Sequence, residues 1–129
     1  ATMLDSNELA GTLNTYAGLI EALVVDEVQF FSDSLALCIK PLIDANVKVV
    51  CGGLDLDCFG DWFPTSRLLS QMAQDHIPLY SECECGNEAS RTQRFAPDGI
   101  PITSGSVVAV GGGDLYRPVC LQCWVGPSE

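Results

Sequence analysis

The feature that most constrains this chain is a pair of cysteine pairs. Cys83-x-Cys85 and Cys120-x-x-Cys123 are separated by residues 86–119. Zinc takes four soft ligands in a tetrahedron, and two turn-borne pairs supply them. Gly86 follows the first pair and suits a tight turn that aims backbone N–H groups at sulfur. Four protein ligands leave no open position, so such a zinc is structural. It would contribute on the order of 10 kcal/mol to folding a lobe with little core of its own. The alternatives for the quartet are buried free thiols or two disulfides. The chain has 7 cysteines, an odd count that argues against a secreted disulfide framework and for a reducing compartment, by default the cytoplasm. Cys38 and Cys51 sit in apolar contexts and are expected to be buried small hydrophobes.

The residues before the first pair have a different texture. Residues 21–25 (Glu-Ala-Leu-Val-Val) and 47–52 (Val-Lys-Val-Val-Cys-Gly) predict strands. Between them Leu35, Cys38, Ile39, Leu42 and Ile43 recur at helical spacing over 33–45, with Pro41 expected to kink or divide the helix. Strand, helix, strand at this length is a βαβ unit with parallel strands. A loop rich in Gly, Asp and aromatics spans 52–64. A helix is expected over 65–76, capped by Thr65 or Ser66 and ended by Pro78. From residue 79 onward short β-like pieces and a turn at Pro97-Asp98-Gly99 take over. The fold class is therefore α/β over 1–78, with a small zinc-ribbon-like β lobe over 79–129. At 129 residues and 47% hydrophobic, the chain can bury a core of that size.

Charge narrows the function. With 17 Asp and Glu against 6 Lys and Arg, the surface repels phosphate backbones, so no nucleic-acid partner is expected. A neutral nucleoside is not repelled. No apolar run reaches the roughly 20 residues a bilayer span needs, so no membrane role is expected. No G-x-x-x-x-G-K-[ST] occurs, and the single histidine, His76, offers no triad. The acids at strand ends remain. Asp26 and Glu27 follow the first strand, and Asp55 and Asp57 follow the second. Parallel sheets bind ligands outside the carboxyl ends of their strands. An Asp there suits a magnesium shell, and an adjacent Glu can take a proton from an attacking hydroxyl. Asp57 and Asp61 alone read as solvated turn residues.

Taken together these stretches resemble the C-terminal two-thirds of the zinc-containing, P-loop type of thymidine kinase. The carriers are Asp26-Glu27-Val28-Gln29-Phe30-Phe31, Gly53-Leu54-Asp55-Leu56-Asp57 with Gly60 and Phe63, Cys85-Gly86 with Arg91-Thr92-Gln93-Arg94, and Gly111-Gly112-Gly113-Asp114-Leu115-Tyr116. The resemblance implies a P-loop-kinase-like parallel sheet, of which residues 1–78 are a part, and transfer of the ATP γ-phosphate to the 5′-hydroxyl of thymidine. It implies Glu27 as general base and Asp26 as the magnesium-associated acid. It implies a lasso-like substrate loop over 106–116, including Val110, Gly111 and Gly112, that holds thymine, with Tyr116 packing at its end. Phe30, Phe31 and Leu54 would wall the base pocket. The cofactors implied are structural zinc and magnesium with ATP, and the assembly implied is a homo-oligomer, usually a tetramer.

The sequence departs from the family at two points. The P-loop of the family precedes the matching stretch, so these residues alone are expected to be inactive. In place of D-F-R-G-x-P-F stands Asp57-Cys58-Phe59-Gly60-Asp61-Trp62-Phe63, so Cys58 occupies an aromatic pocket position. Two readings follow: a thymidine kinase domain in DNA-precursor salvage, or a catalytically degenerate domain kept as an assembly partner. A zinc-ribbon interaction module unrelated to kinases would leave the α/β half a coincidence.

Overall fold

The computed structural model describes Gly11, residues 18–105 and residues 115–127. The chain divides into two compact units, Ala1–Asp55 with Phe63–Gln74 and Leu56–Trp62 with Asp75–Glu129. The 56–62 segment thus leaves the first unit and packs with the cysteine-bearing one.

In the first unit β1 (Ala22–Val25) and β2 (Lys48–Cys51) pair in parallel, with Ala22 opposite Lys48 and Val25 opposite Cys51. Helix α1 (Leu35–Asp44) connects them, as the apolar periodicity requires. Val25, Val28, Leu35, Ile39 and Leu42 form the core, with Leu23, Phe31, Cys38, Val47, Val49 and Leu69 packed against it. Val24 and Val50 alternate to the other face and are exposed. Cys51, expected to be buried, is also exposed, because the apolar packing beneath β2 ends at Val49.

Pro41 does not divide α1, which is continuous through it. The carbonyl deprived of its partner is that of Leu37, a residue 75% exposed, where water can take the bond. The helix stops in a Schellman turn. Asn46 takes the left-handed conformation (φ 63), Val47 N–H donates to Leu42 O at 2.9 Å, and Asn46 N–H donates to Ile43 O at 3.0 Å.

Helix α2 (Pro64–Met72) departs from expectation at both ends. Its N-cap is Phe63, and Pro64 fills the first turn, where its missing N–H costs nothing. Thr65 and Ser66 lie inside the helix, buried, and bond distant carbonyls instead: Thr65 Oγ1 donates to Phe31 O at 2.7 Å and Ser66 Oγ to Leu54 O at 2.5 Å. The helix ends at Met72, short of His76, because Ile77 and Leu79 are exposed and offer no core to extend onto. No helix among the described residues is long and apolar enough to cross a membrane.

The second unit is built from two antiparallel pairs. Strands β3 (Ser81–Glu82) and β4 (Glu88–Ala89) form a short hairpin that carries the first cysteine pair. Strands β5 (Arg91–Phe95) and β6 (Leu115–Val119) pair from Arg91 opposite Val119 to Phe95 opposite Leu115. The turn at Pro97-Asp98-Gly99 closes with Ile100 N–H donating to Asp98 Oδ1 at 3.0 Å. Its core is small: Cys83, Ala89, Val119 and Cys120, with Trp124 packed against them.

Candidate functional site

The chain leaves β1 through Asp26 and turns sharply at Glu27, a non-glycine residue in the left-handed region (φ 56, ψ 42). That conformation costs a side-chain-bearing residue about 1–2 kcal/mol, so its surroundings must hold it. They do so from both sides. Glu27 N–H donates to Asp26 Oδ1 at 2.9 Å. The buried Gln29 donates from Nε2 to Glu27 Oε2 at 2.6 Å, and its Oε1 accepts from Leu54 N–H at 3.1 Å. This second bond also fixes which way the Gln29 amide points. Val28 N–H donates to Gly52 O at 3.1 Å, which ties the turn to the end of β2. A Cβ at Gly53 would run into Gln29 Oε1 and stand 2.9 Å from Val28 Cγ2. The glycine of the Gly53-Leu54-Asp55 stretch is thus a packing requirement of the carboxylate turn.

The candidate base-contacting residues of this unit do not share one environment. Phe31 packs into the hydrophobic core, whereas Phe30 is 64% and Leu54 45% exposed. Phe30 meets Phe63 edge to face, with ring centroids 6.4 Å apart. An exposed carboxylate turn beside exposed apolar side chains can orient a small ligand with one polar and one aromatic end.

In the second unit the four expected cysteines come together. The sulfurs of Cys83, Cys85, Cys120 and Cys123 all lie within 4.8 Å of one another, and Cys85 Sγ stands 3.6 Å from Cys120 Sγ. Four sulfurs around zinc at about 2.3 Å stand roughly 3.8 Å apart, so the set fits a tetrahedral metal. Gly86 adopts φ 94 and donates to Cys83 O at 2.8 Å, forming the turn expected of it. Backbone N–H groups favour the thiolate at the two buried cysteines. The N–H of Cys123, helped by neighbouring thiols, holds Cys120 down to about 6. The N–H groups of Cys85 and Cys120 lower Cys83. Cys123 is pushed up to about 12, chiefly because its thiol keeps its proton in hydrogen bonds to Cys120 and then to Cys85 and Cys83, with burial and the Cys120 charge adding less.

The 56–62 segment forms a closed loop in the same unit. Asp57, expected to be solvated, is buried: its Oδ1 accepts from Phe59 N–H at 2.8 Å and Asp61 N–H at 3.1 Å. Asp57 N–H donates to Asp61 O at 2.8 Å, and Leu56 bridges Trp62. Cys58 is buried, its thiol pushed up by burial and by the Asp57 carboxylate, with Arg94 opposing. Tyr116 is 45% exposed on β6, with the Arg94 guanidinium 6.0 Å from its ring. Val110, Gly111 and Gly112 lie outside the described residues, as does most of the expected 106–116 loop.

Three residues that carry this geometry were not singled out for it from sequence. Gln29 orients Glu27, Asp57 builds the 56–62 loop, and Trp124 reaches that loop by donating from Nε1 to Cys58 O at 3.1 Å. Only Asp57 has a local signal, an Asp placed to accept from the N–H groups that follow it in a glycine-containing turn.

The comparisons with known proteins agree in direction. The sequence profile of the family described as thymidine kinase matches residues 1–124. A thymidine kinase of Thermococcus kodakarensis is 37% identical over 111 residues, covering 84% of this chain and 56% of that protein. One from Idiomarina loihiensis is 33% identical over 106 residues, 81% of this chain and 55% of that protein. One from Vibrio parahaemolyticus is 34% identical over 101 residues, 78% and 53%. The matched stretch therefore spans about half the length of these curated relatives.

Proposed function

Because the chain belongs to the thymidine kinase family, we propose that its Asp26–Glu27 turn is the acceptor-activating centre of a thymidine kinase. The observation that carries this reading is the strained Glu27, held in the left-handed region by Asp26 and Gln29 at the end of a parallel strand. Backbone strain that the surroundings over-determine clusters at functional sites. Glu27 is the general base: it takes the proton of the thymidine 5′-hydroxyl as that oxygen attacks the γ-phosphorus and ADP leaves. Asp26 is a single carboxylate at a strand end, the kind of oxygen ligand magnesium accepts beside phosphates and water. Magnesium, when bound with ATP, neutralises charge developing on the phosphoryl oxygens. Phe30, Phe31 and Leu54, and in the second unit Cys58, Val110, Gly111, Gly112 and Tyr116, are assigned to nucleoside contacts by the same reading. The four cysteines hold a structural zinc.

The reaction also needs a phosphate-cradling loop. None of the G-x-x-x-x-G-K-[ST] type occurs in these 129 residues, so that element must come from elsewhere in the working enzyme. The exposed Val24 and Val50 support a further layer over that face of the sheet, since parallel sheets are ordinarily covered on both faces. By the same reading the enzyme is a cytoplasmic homo-oligomer that binds thymidine and ATP and no nucleic acid.

The test joins to this chain the part of the Thermococcus thymidine kinase that the chain does not match, and measures thymidine phosphorylation. The expected result is turnover by the joined enzyme, none by the 129 residues alone, and a kcat about 10²–10⁴-fold lower in Glu27→Gln with thymidine affinity unchanged. Near-full kcat in Glu27→Gln would refute the assignment of the base.

A further inference from the structure

The loop over 57–61 is closed by its own hydrogen bonds, but its seat is supplied by residues far away in sequence. Gly60, in the left-handed region at φ 86, presses directly on two side chains. A Cβ there would stand 2.9 Å from Arg91 Nη1 and 2.9 Å from Trp124 Cη2. The Trp124 indole donates to the Cys58 carbonyl at 3.1 Å while the Arg91 guanidinium lies 4.8 Å from its ring centroid. Its main chain is fixed as firmly as its ring. Trp124 N–H donates to Cys120 O at 3.0 Å, and the next residue, Val125, donates to Oε1 of Gln93, which is 1% exposed, at 2.7 Å. The indole therefore joins the turn that carries the second cysteine pair to the 57–61 loop.

We propose that Trp124 is the positioning residue of the 57–61 loop, holding Cys58 and its neighbours in place through the Cys58 carbonyl and the face of Gly60. The loop inherits its order from the metal-ligating turn. That this matters for nucleoside contact rests on the kinase reading above, in which Cys58 belongs to the pocket.

The experiment is amide hydrogen exchange by NMR on the zinc-loaded chain. Trp124→Phe keeps a ring under Arg91 and removes the N–H donor. The Phe59 and Asp61 amides should exchange about tenfold faster, with zinc stoichiometry and the β5–β6 amides unchanged. The wild-type chain supplies a second measurement that stands if Trp124→Phe does not fold: the Trp124 indole N–H should exchange as slowly as the Phe59 and Asp61 amides, and free exchange there would overturn the proposal. Wild-type exchange at Phe59 and Asp61 in the substituted chain would overturn the proposal. So would an equal acceleration of loop and β5–β6 amides, which marks general loosening. Thymidine added to the wild-type chain should slow exchange in the loop further. A loop that answers Trp124→Phe and ignores thymidine refutes its place in the pocket and leaves the positioning role standing.

Discussion

Replacing Gln29 with leucine tests the carboxylate turn at the point where it is held. Leucine fills most of the buried volume but makes neither bond. The Leu54 amide then lacks its acceptor at 3.1 Å, a loss of about 1–3 kcal/mol for a part-buried donor. The bond to Glu27 at 2.6 Å is worth less here, since that carboxylate is exposed and water replaces much of it. Apolar burial of the new methyl groups offsets about 1 kcal/mol. The net expectation is a destabilisation of about 2 kcal/mol. In urea, at a slope of about 1–3 kcal/mol per molar, this moves the unfolding midpoint down by roughly 1 M. Gln29→Glu provides the control. It keeps the acceptor for Leu54 but sets a second carboxylate against Glu27, so its destabilisation should shrink as salt is added. That of Gln29→Leu should not. A Gln29→Leu midpoint within about 0.2 M of wild type, or the same salt response in both variants, would refute the claim that Gln29 holds this turn.

Purified chain should contain one zinc at the four-cysteine cluster by elemental analysis, and freely alkylated Cys83 and Cys120 in the native state would contradict it. Cys120 at about 6 lies below the ordinary thiol value of about 8.5, so its thiolate contributes stability above the latter that is lost as pH falls through the former. Zinc holds its ligands as thiolates, so zinc retention followed by a chromogenic chelator should weaken as pH falls. Asn46→Ala should cost about 1 kcal/mol in thermal unfolding, because alanine resists the left-handed C′ position, while Asn46→Gly should be neutral or stabilising.

What the sequence made legible was local or periodic. The apolar spacing of Leu35, Ile39 and Leu42 and the runs ending at Val25 and Cys51 placed α1, β1 and β2 to within a residue or two. The cysteine spacing pointed to the cluster that forms. What stayed hidden depends on contacts distant in sequence. Thr65 and Ser66 have the composition of caps, yet each spends its hydroxyl on a carbonyl in another segment. Pro41 signals a break, but burial of Leu35, Ala36, Ile39 and Leu42 carries the helix through it. The 56–62 segment reads as part of the loop it interrupts. Its membership of the second unit comes from Trp124, 66 residues beyond Cys58. The role of Gln29 needs the Leu54 amide, 25 residues away.

The cysteine cluster is asymmetric, and that asymmetry governs how a metal leaves. Each pair contributes one buried and one exposed sulfur-bearing residue: Cys83 and Cys120 inside, Cys85 and Cys123 outside. A chelator or an incoming thiol meets the outer two first. The inner two stay packed with Ala89 and Val119, so a half-released ion remains tethered to ligands the fold itself keeps in place. Recapture is then intramolecular and competes with escape at a high effective concentration. A metal held at this lobe should accordingly exchange stepwise and from one side, slowly in buffer and faster with small ligands that trap the outer sulfurs' vacated positions.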